Sequence, residues 1–137
     1  MDNWLLDYWK SADNETSSVK KEVSSLMKDK VRRQQFIKLV LGVQEFGPEG
    51  FTVKGNKHLG GGLFELRDTS KHTRYYYCDT GYTYKIGEKK FKSVLLLLVA
   101  DGNKDKQQMA IEQARLRMKN ISSSNLLNEE AYKIIEE

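Results

Sequence analysis

The chain has 137 residues, 39% hydrophobic and 31% charged, which suits one globular domain with a real core and excludes a disordered chain. Its single cysteine, Cys78, excludes an intramolecular disulfide framework and points to a reducing, cytoplasmic setting. The net charge of +4 is uneven, because residues 29–119 carry 18 Lys/Arg against 10 Asp/Glu while residues 1–28 and 120–137 are acidic on balance. A basic body of this kind favours nucleic acid, an anionic membrane or an acidic protein partner.

The opening Met-Asp-Asn-Trp lacks a basic region followed by an apolar one, so no signal peptide is expected. Residues 3–9, short and aromatic, read as a first strand, and residues 10–18 as a loop. Ser17 or Ser18 can cap a helix carrying Val19, Val23, Leu26 and Met27. Asp29 is placed to cap a second helix, from Lys30 to about Glu45, with Phe36, Ile37, Val40, Leu41 and Gln44 on one face. Gly47-Pro48 ends it. The two helices are expected to pair and cover one face of a sheet.

Residues 51–53 suggest a short strand, and residues 54–62 a basic, glycine-rich loop with four glycines. Gly60 to Gly62 does not fit a phosphate-binding P-loop, since no Gly-Lys-Ser/Thr follows and a strand comes next. The loop is either a flexible entry to that strand or a rim on which Lys57 and His58 border a site.

Residues 60–78 organise the chain. In 63–67, alternation puts Leu63, Glu65 and Arg67 on one side of a strand and Phe64 and Leu66 on the other. Residues 73–78 are aromatic and β-branched, and the five between 68 and 72 have turn composition, so the pair reads as a hairpin. Its register brings Arg67 and Arg74 close together. Paired guanidiniums repel and add little to stability, whereas a multiply charged anion such as RNA phosphate would relieve them.

Residues 82–91 suggest a second hairpin, or an extension of the first, turning at Gly87-Glu88 and carrying Lys85, Lys89, Lys90 and Lys92. These lysines are either a solvated surface or RNA contacts. Residues 94–100, apolar throughout, read as a central strand; at seven residues they fall far below the roughly 20 that cross a bilayer as a helix. A last main helix is expected from Lys104 or Asp105 to Asn120, with Lys106, Gln113, Arg117 and Lys119 pointing outward. Residues 122–137 can cap at Asn125 and form a short amphipathic helix through Leu127, Ala131, Ile134 and Ile135.

Several stretches carry a family likeness. Residues 59–67, Leu-Gly-Gly-Gly-Leu-Phe-Glu-Leu-Arg, match a "Leu-Gly-x-Gly-Leu-x-Glu-Leu-Arg" segment, and Thr73-Arg74-Tyr75-Tyr76-Tyr77 matches "Tyr-Arg-x-x-Tyr". Gly102-Asn103-Lys104, Gln107, Ile111 and Ala114 follow the apolar strand in the order of the same pattern. Over residues 3–120 the chain resembles the RelE/HigB superfamily of type II toxin–antitoxin toxins, closest to the HigB-like, phage-associated killer-protein branch. The resemblance implies an α+β fold, RelE-like, with a twisted, mainly antiparallel sheet, an N-terminal helical pair and a C-terminal helix. Residues 1–120 would be the toxin domain and 121–137 an amphipathic tail.

It further implies an mRNA endoribonuclease, ribosome-dependent, acting in the A site and silenced by a cognate antitoxin, of helix-turn-helix type. No cofactor, metal or membrane partner is expected. Such enzymes attack the scissile phosphate with the adjacent ribose 2′-OH, and fixed cations stabilise the charge that develops. By the same resemblance Arg67, Arg74 and Lys104 grip the phosphate, and Lys57 binds it or acts as a general base with His58 as the alternative. His58, Lys106, Gln107, Lys85 and Lys89 would contact RNA. One rival reading is a ParE-like toxin that binds gyrase; another is a non-catalytic RNA-binding phage regulatory protein.

Overall fold

Alternating side chains on long strands build one mixed sheet in the computed structural model, which describes residues 3–48, 56–67, 73–102, 104–127 and 133–135. The strands are β1 (Trp4–Tyr8), β2 (Asn56–Gly60), β3 (Leu63–Arg67), β4 (Thr73–Ile86), β5 (Lys89–Asp101) and β6 (Lys133–Ile135). They run in the order β1-β5-β4-β3-β2, and β6 joins β4 past the end of β3. β1 and β5 are parallel and the remaining strand pairs antiparallel. With helices α1 (Ser18–Leu26), α2 (Lys30–Phe46) and α3 (Lys104–Lys119), the class is α+β, as expected.

The period of two along β3, β4 and β5 sorts the core into two layers. Phe64, Leu66, Tyr75, Tyr77, Val94 and Leu96 face α1 and α2, where they meet Val19, Val23, Phe36, Leu39 and Val43. Leu63, Tyr76, Cys78, Tyr84, Leu95 and Leu97 face the other way, toward Ala110 and Ala114 of α3 and Leu126 of the tail. The three consecutive tyrosines are thus divided between opposite faces. A register shift between Tyr76 and Tyr77 against β5 leaves both Leu97 and Leu98 on the α3 side, the effect of a bulge.

The helix boundaries follow from their caps. The Ser17 hydroxyl oxygen accepts from the Lys20 N–H at 3.1 Å, and Asp29 Oδ1 accepts from Val31 and Arg32 N–H at 2.9 and 3.3 Å. Gly47 ends α2 at φ 72°, and a Cβ there would lie 2.5 Å from the Trp4 indole. Only glycine satisfies both conditions.

Two expectations change and a third resolves. Within the glycine-rich stretch the described residues form a strand over Asn56–Gly60, because the open edge of β3 offers it a ladder, and Gly61 and Gly62, both at positive φ, make the turn. Of the two readings of Tyr82 to Phe91 the extension holds: β4 and β5 continue through it as one long ribbon that turns at Gly87-Glu88 and is offset between Asp79 and Thr83. The tail forms a 3-10 turn at Ser123–Asn125 and then strand β6 rather than an amphipathic helix. β-branched Ile134 and Ile135 suit a strand, and β4 offers a free edge there. Leu126 is fully buried and the Asn125 amide donates to the Lys10 carbonyl at 2.9 Å, so the tail packs on the body at these two residues. The short strand at 51–53, the turn at 68–72 and Ala131 lie outside the described residues.

Candidate nucleic-acid interface

The β3–β4 register sets Arg67 directly opposite Arg74, and Glu65 directly opposite Tyr76, all on the face that carries α3. On the next strand Lys57 pairs with Glu65 and shares that face. Arg67 and Lys57 are exposed, while Glu65 (3%), Arg74 (7%) and Tyr76 (0%) are buried. Arg74 therefore does not reach into solvent as a free cation, and of the two arginines expected to grip a phosphate only Arg67 is exposed. Its Nε lies 4.0 Å from Glu65 Oε1, and its Nη1 donates to the Gly102 carbonyl at 3.5 Å. The guanidinium thus ties β4 to the turn that leads into α3.

The cluster is incompletely satisfied. Glu65 Oε2, Arg74 Nε and Tyr76 OH make no hydrogen bond among the described residues. Buried polar atoms without partners are few in folded proteins, and three in one cluster mark it out. Burial raises the Tyr76 phenol pKa well above its ordinary value; the Glu65 carboxylate adds to the rise and Arg74 opposes it. At neutral pH Tyr76 is a protonated donor beside a carboxylate.

The surroundings fix this end of the sheet. Arg32, in the first turn of α2, donates to Thr73 Oγ1 at 3.0 Å and to Asp101 Oδ2 at 2.8 Å, and Thr73 and Asp101 are themselves cross-strand partners. Lys104 opens α3 three residues after Asp101; its side chain lies outside the described residues. Lys106 is exposed, and its stem runs so close to Gly102 that a Cβ there would lie 2.6 Å from Lys106 Cδ. Gln107, half-buried, falls on the α3 stripe that continues through Ala110, Ile111 and Ala114 toward the sheet. At the other end of α3, Arg115 donates to the Leu59 and Gly60 carbonyls at 2.8 and 3.1 Å, holding the β2–β3 turn. Arg117 does not point outward as expected: it stacks on Trp9 at 4.0 Å and donates to the Leu97 carbonyl at 2.7 Å.

Arg67, Arg74, Lys57, Lys106 and the start of α3 therefore gather at one end and one face of the sheet. The other candidates do not join them. His58 pairs with Phe64 on the α1–α2 face, stacked on that ring at 4.6 Å, which in turn stacks on Tyr77 at 5.6 Å. The sheet separates it from Arg74, so it does not share the face of the two arginines. Lys85 and Lys89 lie at the far end of the β4–β5 ribbon. Eleven residues of strand separate Arg74 from Lys85, roughly 35 Å at about 3.3 Å per residue.

Alternation alone puts Glu65 on the arginine side of β3. Counting back two residues from the Arg67–Arg74 pair would have singled out Tyr76 as the partner of Glu65. Among the described residues, no group of three or more His, Cys, Asp or Glu side chains stands where it would hold a metal ion. Among them, too, no helix is long and apolar enough to cross a membrane. No protein-family model, curated protein or solved structure matches the chain.

Proposed function

We propose that the chain is an RNA-cleaving toxin of the RelE/HigB kind, acting on mRNA at the ribosomal A site and silenced by a co-expressed helix-turn-helix antitoxin. The observation that carries this reading is the opposition of Arg67 and Arg74 on adjacent strands, beside the turn that opens α3. In the proposed reaction the ribose 2′-oxygen attacks phosphorus as the bond to the 5′-oxygen breaks, and the leaving oxygen takes a proton from solvent water, leaving a 2′,3′-cyclic phosphate and a 5′-hydroxyl. Negative charge grows on the phosphoryl oxygens during that step, and preorganised cations stabilise it most where water is excluded. Arg67, exposed, contacts those oxygens. Arg74 lies on the adjacent strand beside it as a buried fixed charge, oriented by Glu65 and the Gly102 carbonyl. Lys57, on the same face, binds phosphate, and solvent water takes the 2′-OH proton. A RelE-like topology, with the helical pair on one face and α3 on the other, belongs to the same proposal.

The test is cell-free translation with mapping of mRNA ends. Wild-type protein is expected to cut messages and halt synthesis, and Arg67→Ala to lower cleavage about 10²–10³-fold, the usual effect of losing one transition-state contact. Intact messages in the presence of wild-type protein would eliminate the reading. The burial of Glu65, Arg74 and Tyr76 favours one alternative, a non-catalytic RNA-binding protein in which this cluster is purely structural. RNA binding that falls steeply with salt, with no cut ends, would select it.

A further inference from the structure

The far end of the β4–β5 ribbon carries a second concentration of charge that the Arg67–Arg74 site does not use. Cross-strand register pairs Lys85 with Lys90, and on the other side of β4 it pairs Lys85 with Lys133 of β6. Two residues along, Lys92 stands opposite Thr83 and next to Trp4, over whose ring its Nζ lies at 5.6 Å. Directly opposed residues share a face of the sheet, so Lys85, Lys90 and Lys92 occupy the same side, the one carrying Trp4 and the end of α2. All three are exposed. Among the described residues, neither Lys85 nor Lys90 forms an ion pair. Like charges set directly opposite destabilise a sheet, and Lys85 and Lys90 stand in that arrangement.

We propose that this ribbon tip is a separate binding surface for the phosphate backbone of RNA, resting on the RNA-directed reading above and adding a contact remote from the cleavage site. The spacing suits a polyanion. Strands about 4.8 Å apart and same-face residues about 6.6 Å apart along a strand give a grid of point charges, with no single pocket for a small anion. A backbone of regularly repeated phosphates needs only such repeated cations, whatever its sequence. Protein interfaces instead centre on apolar and aromatic side chains and are depleted in lysine. On this face of the β4–β5 tip Lys85, Lys90 and Lys92 lie around Thr83, and Trp4 is already covered by Lys92. Lys89, paired with Ile86, lies on the opposite face and is outside the surface.

The experiment is fluorescence anisotropy with a labelled RNA hairpin from 50 to 200 mM salt. It compares the full chain with a Lys85→Glu/Lys90→Glu variant, a Lys85→Gln/Lys90→Gln variant and Arg67→Ala. Urea unfolding confirms that each variant is folded. The lysine variants are expected to bind at least about tenfold more weakly, with the log–log salt slope reduced by roughly 1.4–1.8, as for two lost phosphate contacts. Arg67→Ala retains the tip-dependent part of that slope. Unchanged affinity and slope in the lysine variants overturn the proposal. Phosphatidylserine vesicles or polyglutamate binding the tip more tightly than the RNA hairpin does would also overturn it. Because the readout is binding of uncut RNA, loss of the cleavage reading in translation extracts leaves this result standing on its own.

Discussion

Replacing Glu65 with leucine tests whether Arg74 is held as the structure indicates. Both side chains are at least nine-tenths buried, and the contact is a single approach of 4.0 Å between Arg74 Nε and Glu65 Oε1. Removing the carboxylate leaves a guanidinium under α3 with the Gly102 carbonyl as its remaining described acceptor. An uncompensated buried charge costs about 3–5 kcal/mol. The looseness of the contact argues for the lower end, about 3 kcal/mol, which is roughly a 10²-fold change in the folding equilibrium. The double variant Glu65→Leu/Arg74→Met removes both charges and keeps the volume, and replacing such a pair by apolar residues is commonly neutral or stabilising. Urea unfolding at neutral pH should therefore show Glu65→Leu strongly destabilised and the double variant close to wild type. If Glu65→Leu costs under about 1 kcal/mol, or the double variant is as unstable as the two single changes added, the buried pair is not coupled as described. A folded double variant also separates roles: under the proposed function it should bind RNA through the ribbon tip and fail to cut mRNA.

Two further expectations concern the opposite end of the α3 face. The Tyr84 hydroxyl donates to the buried Asp7 carboxylate at 2.7 Å, so Tyr84→Phe should cost about 1.5–3 kcal/mol in urea unfolding; a loss under about 0.5 kcal/mol would show that Asp7 is satisfied without it. Burial pushes the Cys78 thiol up to about 12, with Asp79 adding to the shift. The folded chain therefore holds this proton where the unfolded chain releases it. Stability is full below about pH 8.5 and falls by up to about 1.4 kcal/mol per pH unit as pH rises toward 12. Cys78→Ala should flatten that alkaline limb by one proton, measured by urea unfolding from pH 8 to 11, and an unchanged limb would contradict the burial argument.

The elements closest to their reading are those whose signals are local. Ser17 and Asp29 cap the helices because a short polar oxygen before an apolar run meets N–H groups within three residues of itself. The β3 and β4 strands follow from alternation, and the loop length between them sets Arg67 against Arg74. That pairing, the centre of the candidate site, was legible because a hairpin converts sequence distance directly into register.

What the sequence could not supply was depth and side. Arg74 and Arg67 are the same residue type at mirrored positions, yet one is buried and the other exposed, because α3 starts beside Arg74 at the end of β5 and folds back over β5 and β4. His58 and Lys57 are neighbours in the chain but lie on opposite faces once β2 joins the sheet, and that joining depended on an open edge supplied by β3. The tail became a strand for the same reason, since a free length of β4 is a property of the assembled sheet. Capping, alternation and hairpin register act over a few residues and are written in the chain. Burial, facing and edge pairing depend on which distant segments arrive alongside, and only the folded molecule decides them.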